Sequence, residues 1–236
     1  MLCASFCANA YPALTAQAWL VADDNGLILD GSHTTDVRSI ASITKLMTSI
    51  VVLDSGQSLN ETIPKKLYNR TFTRQELLNL AIIKSDNNAA RMLCEYYPGG
   101  MSRCVQAMNN KAIELKMYNS KFTDPTGLYN TNVSTAEDLV KLVMAAKNYP
   151  TITNASNTPI VSWQVSNKKY AIFHNTNDLV GKGVNFIVSK TGWITASGGC
   201  IVMMLHGEYG VRTVVLLGSK NTKTRIPEAY MVSKLH

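Results

Sequence analysis

The sequence predicts an α+β fold: an antiparallel sheet flanked by helices, with an all-helical subdomain inserted into it. Three observations predict this class. A hairpin signal stands near the start, helical signals fill the middle of the chain, and strand signals return after Pro150. Strands, then helices, then strands again are typical of a helical segment that separates two parts of one sheet. We expect the sheet parts at about residues 11–60 and 151–236, and the subdomain at about 61–150.

Two elements are predicted in the first part of the chain. The apolar runs "QAWLVAD" and "GLILD" are joined by Asp-Asn-Gly, which is a strong hairpin signal. In "SITKLMTSIVVLD", Ser42 to Asp54, apolar residues recur at helical spacing and cover nearly the whole circumference. A helix of this kind is buried on all sides in the middle of a protein.

The middle of the chain carries helix signals from about Thr62 onward. Two capping boxes, "TRQE" at 73–76 and "STAE" at 134–137, stand ahead of apolar periodic runs. Another helix is predicted beyond Ser102, and "DPTGL" at 124–128 is a turn between helices. These signals predict the inserted subdomain.

Strand signals dominate the last third. Apolar runs separated by Gly, Asn and Asp breaks predict four strands: "KKYAIFHN", "NFIVSKTGW", "GGCIVMMLHG" and "VRTVVLLGS". Residues 221–236 are expected to form a helix that returns to the sheet.

Five cysteines are present. Cys94 and Cys104 flank a Pro-Gly-Gly turn between two predicted helices, and an oxidising compartment would allow them to pair. Spacing alone does not supply the geometry of a disulfide, so two free thiols remain the alternative. Cys200 lies in an apolar strand and is expected to be an inert buried thiol.

The composition excludes several classes. With 46% hydrophobic and 17% charged residues in 236, the chain is a folded globular protein. No apolar run reaches about 18 residues, so no transmembrane segment is predicted. The net charge of +7 comes from scattered side chains rather than a basic stripe, so nucleic acid is not an expected partner. The four histidines are far apart and no C-x-x-C occurs, so no metal or other cofactor is predicted.

The first residues have the character of an export signal. "MLCASFCANAY" is apolar and rich in small residues, and "ANA" at residues 8–10 has the A-x-A form that signal peptidase recognises. We expect residues 1–10 to be the remnant of this signal, with the mature protein, a single domain of residues 11–236, beginning near Tyr11. Cys3 and Cys7 would leave with the signal. An ordinary N-terminal tail is the alternative.

Ser42 stands three residues before Lys45 in the apolar helix. Residues three apart share a helix face, so the amine can reach the hydroxyl, and a helix start near Ser42 aims backbone N–H groups at the same point. A neutral lysine accepts the serine proton if burial and nearby positive charge lower its pKa. The spacing alone is a weak signal, because a second S-x-x-K occurs at Ser166 and Lys169.

Two further motifs follow in order. "SDN" at 85–87 lies at a predicted junction of two helices, and "KTG" at 190–192 lies near the end of a predicted strand. S-x-x-K, S-D-N and K-T-G together form the signature that class A β-lactamases share with penicillin-binding proteins. Their order, and their placement on three different kinds of element, argue against coincidence.

Chemistry assigns roles to the first two motifs. Ser42 is the predicted nucleophile and Lys45 is its base. Ser85 offers a hydroxyl for proton shuttling, and Asn87 offers an amide for a substrate carbonyl. Asp86 is expected to point away and fix the turn, because a free carboxylate would repel an anionic substrate.

The third motif is predicted to bind substrate. Lys190 and Thr191 suit a substrate carboxylate, and the Lys190 charge also helps to keep the base neutral. Gly192 lets a substrate backbone approach the strand edge and pair with it. The N–H groups of Ser42 and Trp193 would form an oxyanion hole.

The chain resembles the low-molecular-mass penicillin-binding proteins, the serine D-alanyl-D-alanine peptidases, and within them the periplasmic endopeptidase branch. Nearly the whole mature chain carries the resemblance, in this order: "IASITKLMTSIVVLD", "SDNNAA", "YYPGG", "FTDPTGL", "NVSTAEDLVKL", "HNTNDLV" and "SKTGW". The resemblance implies a β-lactamase/transpeptidase-like fold, acylation by a D-Ala-D-Ala-type bond of a peptidoglycan peptide, hydrolysis of the acyl-enzyme, and inhibition by penicillin and other β-lactams. It also implies an exported, periplasmic protein, soluble or peripherally associated with the cell wall or membrane; the motifs name no protein partner.

Alternative functions remain within this resemblance. Carboxypeptidases of the family usually add a C-terminal β-domain and a membrane-binding helix, whereas this sequence ends soon after its last predicted strand. We therefore expect a DD-endopeptidase rather than a D-alanyl-D-alanine carboxypeptidase. A class A-like β-lactamase needs a deacylating glutamate between the second and third motifs. The candidates are Glu95, Glu114 and Glu137, and Glu137 is better explained as a capping-box residue. A penicillin-binding sensor without turnover would need a transmembrane or signalling segment, which the sequence does not predict.

Overall fold

The structure is a computed structural model, and it describes residues 14–166 and 169–235. The predicted export remnant at 1–10, the expected start near Tyr11, and Cys3 and Cys7 lie outside the described residues. The strands are β1 (Ala18–Ala22), β2 (Ile28–Ser32), β3 (Arg38–Ser39), β4 (Thr62–Leu67), β5 (Arg70–Thr73), β6 (Val133–Ser134), β7 (Ile160–Ser166), β8 (Lys169–His174), β9 (Phe186–Ile194), β10 (Gly198–Gly207) and β11 (Gly210–Ser219). The α-helices are α1 (Thr44–Asp54), α2 (Arg74–Ile83), α3 (Asn87–Glu95), α4 (Gly100–Glu114), α5 (Ala136–Ala146), α6 (Pro150–Asn157) and α7 (Arg225–Lys234).

A five-stranded antiparallel sheet forms the centre, in the order β2-β1-β11-β10-β9. The predicted first hairpin and the strands predicted after Pro150 are confirmed, and so is the mixed α+β class. The other strands form three antiparallel pairs, β3–β6, β4–β5 and β7–β8. Strand β9, which carries K-T-G, is therefore an edge of the central sheet.

Helices cover both faces of the sheet, which explains why β10 is apolar without alternation. Alternate residues of a strand point to opposite faces. Of the β10 side chains, one set packs into the core that contains α1 and α5, namely Cys200, Val202 and Met204. The other set packs into the core that contains α7, namely Ile201, Met203 and Leu205.

Helix α1 is buried on all sides, as its sequence predicted. Every residue from Thr44 to Val52 is buried, including Lys45. The α-helix begins two residues later than Ser42, because Ala41–Ile43 forms a short 3₁₀ turn ahead of it. The nucleophile candidate therefore lies on that turn, directly before the central helix.

Two local predictions within the inserted segment need correction. Residues 62–73 are not helical but form the β4–β5 hairpin. In these strands Ile63 and Phe72 are the buried residues. Because so few of the side chains are buried, the strands lack the alternating pattern by which a strand is recognised.

The second correction concerns the capping boxes. The box at Thr73 and Glu76 is confirmed at the start of α2. The box predicted at 134–137 is wrong by one residue, because Thr135 caps α5 and accepts from the Asp138 N–H. Glu137 instead accepts a hydrogen bond from the Thr34 hydroxyl.

Cys94 and Cys104 form a disulfide, with 5.3 Å between their Cα atoms. This answers the question that their spacing left open. The bridge joins the end of α3 to the first turns of α4 across the turn at Gly99, whose φ of +81° suits glycine. Cys200 is a buried free thiol. Among the helices that the structure describes, none combines the length and hydrophobicity needed to cross a membrane.

Candidate active site

Ser42 lies on a strained turn between β3 and α1. The preceding Ala41 has a φ of +46°, which is uncommon for a residue with a side chain. The turn is held by the Thr44 hydroxyl, which donates to the Ala41 carbonyl at 2.7 Å. Gly127 lies directly against this turn, where only a glycine fits, because a Cβ at position 127 would lie 1.8 Å from the Ala41 oxygen. The segment after Asp124 is thus pressed against the turn that carries Ser42.

The Lys45 amine meets three oxygens. Its Nζ lies 2.8 Å from Ser42 Oγ, 2.8 Å from Asn87 Oδ1 and 2.7 Å from the Thr126 carbonyl. A neutral amine has two N–H donors and one lone pair. The Asn87 and Thr126 oxygens can only accept, so they take both donors, and the lone pair is left for the Ser42 hydroxyl. This arrangement makes neutral Lys45 an acceptor for the Ser42 proton.

The electrostatics of the site favour that neutral form. Burial lowers the pKa of Lys45 from 10.5 to about 7, and the charges of Asp124 and Asp86 oppose the shift. A pKa in this range leaves a substantial neutral fraction of Lys45 near pH 7. The sequence predicts that burial and the Lys190 charge together keep Lys45 neutral, and in the structure burial is the main cause.

The S-D-N segment lies between α2 and α3. Ser85 has a φ of +59°, and Asp86 caps α3 by accepting from the Ala89 N–H at 2.8 Å. The other oxygen of Asp86 accepts a 2.5 Å hydrogen bond from the Tyr68 hydroxyl. Asp86 therefore fixes the turn, and Asn87, the first residue of α3, is directed at Lys45.

Strand β9 faces this segment across the site. Lys190 is 1% exposed, and its Nζ donates to Ser85 Oγ and to the Thr191 carbonyl, each at 2.8 Å. Burial lowers the pKa of Lys190, and the positive charges of Lys45 and Arg225 lower it further. The Thr191 hydroxyl donates to the Thr176 hydroxyl at 2.7 Å.

Gly192 brings β9 against the nucleophile turn. A Cβ at this position would lie 2.9 Å from the Ser42 nitrogen and 3.0 Å from the Ile40 oxygen. The structure thus places the backbone of Ser42 beside the strand that continues into Trp193, whose side chain is about half exposed. The three motifs, far apart in the sequence, surround one point at the edge of the sheet.

The second S-x-x-K has no such surroundings. Ser166 and Lys169 pair across the ends of β7 and β8 instead of sharing a helix face. Both residues are exposed.

The family model of the D-alanyl-D-alanine carboxypeptidase peptidases matches residues 6–221 of the chain. The chain belongs to this family. Among related family members, the D-alanyl-D-alanine endopeptidase of Escherichia coli is 40% identical over 220 residues, which cover 83% of this chain and 71% of that protein. The endopeptidase of Pseudomonas aeruginosa is 39% identical over 207 residues, covering 80% of this chain and 67% of that protein. The resemblance inferred from the motifs is confirmed.

Solved structures show the same fold. A penicillin-binding protein from Listeria monocytogenes, in its ampicillin-bound form, superposes with a TM-score of 0.82 at 25% identity and covers 93% of this chain and 96% of that chain. A mutant of a Streptomyces DD-transpeptidase, at 22% identity, has a TM-score of 0.86 and covers 94% and 98% of the two chains. The predicted β-lactamase/transpeptidase-like fold is confirmed.

In this member of the D-alanyl-D-alanine carboxypeptidase family, the structure also places at the site several side chains that the sequence did not predict there. Arg225 in α7 is 7% exposed and donates to the Gly192 carbonyl at 2.6 Å. Thr176 meets Thr191, and Tyr68 meets Asp86. Arg225 and Tyr68 lie outside the quoted motifs, whereas Thr176 lies within "HNTNDLV", a segment to which the sequence assigned no role at the site. For the turn at 124–128 the sequence did give a signal, because "DPTGL" was predicted as a turn, but not as a wall of the site.

Proposed function

We propose that the protein is a serine DD-peptidase of peptidoglycan, and specifically a DD-endopeptidase that hydrolyses D-Ala-containing peptide cross-links through a Ser42 acyl-enzyme. One observation carries this proposal: the Lys45 Nζ lies 2.8 Å from Ser42 Oγ while its other two contacts are to oxygens that can only accept. The endopeptidase names of relatives at 39–40% identity support the substrate class.

Acylation begins with proton transfer from Ser42 to neutral Lys45. Ser42 Oγ attacks the carbonyl carbon of the D-Ala residue on the donor strand, and the N–H groups of Ser42 and Trp193 stabilise the oxyanion. A preorganised donor of this kind typically contributes about 10²–10³ in rate. The leaving amine of the acceptor strand takes a proton from the Ser85 hydroxyl, and Ser85 is reprotonated by the proton that Lys45 took from Ser42, so Lys45 is neutral again. Water then gives a proton to Lys45 as it attacks the ester carbonyl, and that proton passes to Ser42 Oγ as the product acid is released.

Substrate binding is assigned to the motifs on both sides of Ser42. The Lys190 ammonium and the Thr191 hydroxyl bind the carboxylate beside the scissile bond, and Lys190 Nζ already contacts Ser85 Oγ at 2.8 Å. The Asn87 side-chain amide binds a carbonyl of the donor strand. Strand β9 is an edge of the central sheet, so the substrate backbone pairs with it as an extra strand beside Ser42, against which Gly192 lets β9 pack closely.

Carboxypeptidase activity is the second candidate, because a Mycobacterium tuberculosis relative at 30% identity bears that name. The two reactions differ only in the leaving group, which is a cross-linked strand or free D-alanine. The test is digestion of a purified cross-linked muropeptide dimer and of a monomeric pentapeptide, with Ser42→Ala as control. We expect wild-type protein to cut the dimer at the higher kcat/KM. A preference for the pentapeptide would contradict the endopeptidase assignment, and cleavage by Ser42→Ala would contradict the nucleophile.

We propose that β-lactams acylate Ser42 and that the resulting acyl-enzyme is hydrolysed slowly. A class A-like β-lactamase would need a glutamate that activates water at the acyl-enzyme. Glu95 pairs with Lys65, Glu114 pairs with Lys111, and Glu137 accepts from Thr34. Each candidate glutamate is thus engaged away from Lys45, which supports inhibition rather than turnover. A sensor without turnover would acylate in the same way but fail to cut the dimer.

We also propose that the protein works outside the cytoplasm, with residues 11–236 as one catalytic domain and residues 1–10 as the remnant of the export signal. The Cys94–Cys104 disulfide supports this location, because disulfides persist in oxidising compartments such as the periplasm. Sequencing the N-terminus of the protein recovered from its native cells tests the cleavage point near Tyr11.

A further inference from the structure

A second recess lies beside the catalytic centre. It has a volume of about 360 Å³, and its lining includes Arg91 and Glu95 of α3, Met101 of α4, and Asp124, Thr126 and Tyr129 from the segment that follows α4. A volume of this size is within the range of pockets that bind small ligands.

The recess shares two walls with the catalytic centre. Thr126, whose carbonyl accepts from Lys45, lines it. Arg91 lies four residues after Asn87 on α3, which is one turn or roughly 6 Å along the same helix. One or two extended residues of a peptide whose carbonyl is bound by Asn87 would span this distance.

Arg91 is the cation in the lining of this recess. It is exposed, and it makes no ion pair or hydrogen bond with any residue in the part of the chain that the structure describes. Its helical neighbour at i+4, Glu95, would be a natural partner. Glu95 instead binds Lys65, with 2.7 Å between Oε2 and Nζ. The guanidinium is therefore available for a ligand, while both carboxylates of the lining are engaged: Glu95 by Lys65, and Asp124 by the N–H groups of Thr126 and Gly127.

The walls are held in place before any ligand arrives. The Cys94–Cys104 disulfide ties α3 to α4. Asp124 Oδ1 accepts from the N–H groups of Thr126 and Gly127, which holds the opposite wall. A recess built in this way keeps its shape without paying an ordering cost on binding.

We propose that this recess receives an acidic group of the acyl-donor peptide, and that Arg91 binds its carboxylate. The inference rests on the proposed function, since a peptide substrate carries its negative charge on carboxylates. A planar guanidinium binds a carboxylate in a bidentate manner, which gives orientation as well as affinity. Arg91 is then a specificity residue, selecting donor strands that carry a free carboxylate near the cross-link.

The experiment compares two synthetic cross-linked substrates that differ in one group: the donor strand has either a free side-chain carboxylate or the corresponding amide. We expect wild-type protein to prefer the acid, and Arg91→Gln to lower kcat/KM for the acid by about tenfold to a hundredfold while the amide changes little. Arg91→Glu should prefer the amide. Lys223→Gln, which removes one exposed positive charge elsewhere, should retain the wild-type preference.

Two results would overturn the inference. One is an equal loss on both substrates; the other is an Arg91→Gln protein that also loses acylation by benzylpenicillin, because Arg91 would then support the catalytic centre itself. Failure of the proposed function is a distinct result: wild-type protein would cut neither substrate and would not be acylated by benzylpenicillin.

Discussion

The Tyr68 hydroxyl donates a 2.5 Å hydrogen bond to Asp86 Oδ2, and so connects the β4–β5 hairpin to the S-D-N turn. Burial raises the pKa of Tyr68 to about 12, and the hydrogen bond to Asp86 and its charge contribute to the shift. The ring also packs on Phe173, with 4.9 Å between centroids. The turn that carries Ser85 and Asn87 is thus supported from outside the motif.

Removing this hydroxyl should weaken both the fold and the site. We expect Tyr68→Phe to lower the free energy of unfolding by about 1–2 kcal/mol, since one hydrogen bond to a charged group is lost at a partly exposed position. Penicillin acylation should slow several-fold because Asn87 is held less firmly. Urea unfolding and acylation kinetics measure both, with Tyr118→Phe at a more exposed site as control. Identical behaviour of the two variants would contradict a role for Tyr68.

Acylation should depend on pH through Lys45. Its pKa of about 7 means that the ammonium form, which has no lone pair, dominates at lower pH. We expect the second-order rate constant for acylation by benzylpenicillin to fall about tenfold per pH unit below about pH 7. Above this range it should fall again as Lys190 loses its charge, and this fall should come well below the ordinary lysine pKa of 10.5, because burial and the charges of Lys45 and Arg225 lower the pKa of Lys190. A profile that stays flat through about pH 5–7 would contradict Lys45 as the base.

Gly127 should be needed both for its backbone angle and for its lack of a side chain. Its φ is +74°, and a Cβ would lie 1.8 Å from the Ala41 oxygen. Gly183 has a similar φ of +82° with open space around it, so Gly183→Ala measures the backbone cost alone, about 1–2 kcal/mol. We expect Gly127→Ala to cost several kcal/mol more and to slow acylation. Equal losses in Tm for the two variants would show that the contact with Ala41 carries no weight.

The disulfide should stabilise the helical insert. It closes a loop with a sequence separation of 10 residues, for which chain entropy gives about 2–3 kcal/mol. We expect reduction of the wild-type protein to lower Tm, and we expect a Cys94→Ala/Cys104→Ala variant to start at that lower Tm. The variant lacks this bridge, and its buried Cys200 is a free thiol, so its Tm should not respond to reductant. A wild-type Tm that is insensitive to reductant would contradict the pairing.

The sequence predicted those elements in which the pattern of apolar residues matches the pattern of buried side chains. Helix α1 is apolar all round because it is buried all round, and β10 is apolar throughout because both its faces are covered. The β4–β5 hairpin escaped because few of its side chains are buried. At α5 the neighbouring hydroxyls of Ser134 and Thr135 offered two caps, and the position of the helix start decided between them.

At the site, the motifs predicted the reacting groups but not the residues that position these groups through hydrogen bonds. The S-x-x-K spacing predicted that Lys45 reaches Ser42. The Thr126 carbonyl, which takes one of the two Lys45 donors, comes from 81 residues away in the chain. Arg225 reaches the Gly192 carbonyl from a separate helix. Contacts of this kind depend on tertiary packing, and no local pattern encodes them.

In the proposed mechanism Lys45 is the base that activates Ser42. The most direct measurement is intact mass against time after benzylpenicillin is added to wild-type protein, Ser42→Ala and Lys45→Ala. We predict a persistent single adduct on the wild type, none on Ser42→Ala, and formation slowed by about 10²–10⁴-fold on Lys45→Ala. An adduct on Ser42→Ala, or a wild-type rate for Lys45→Ala, would contradict the account.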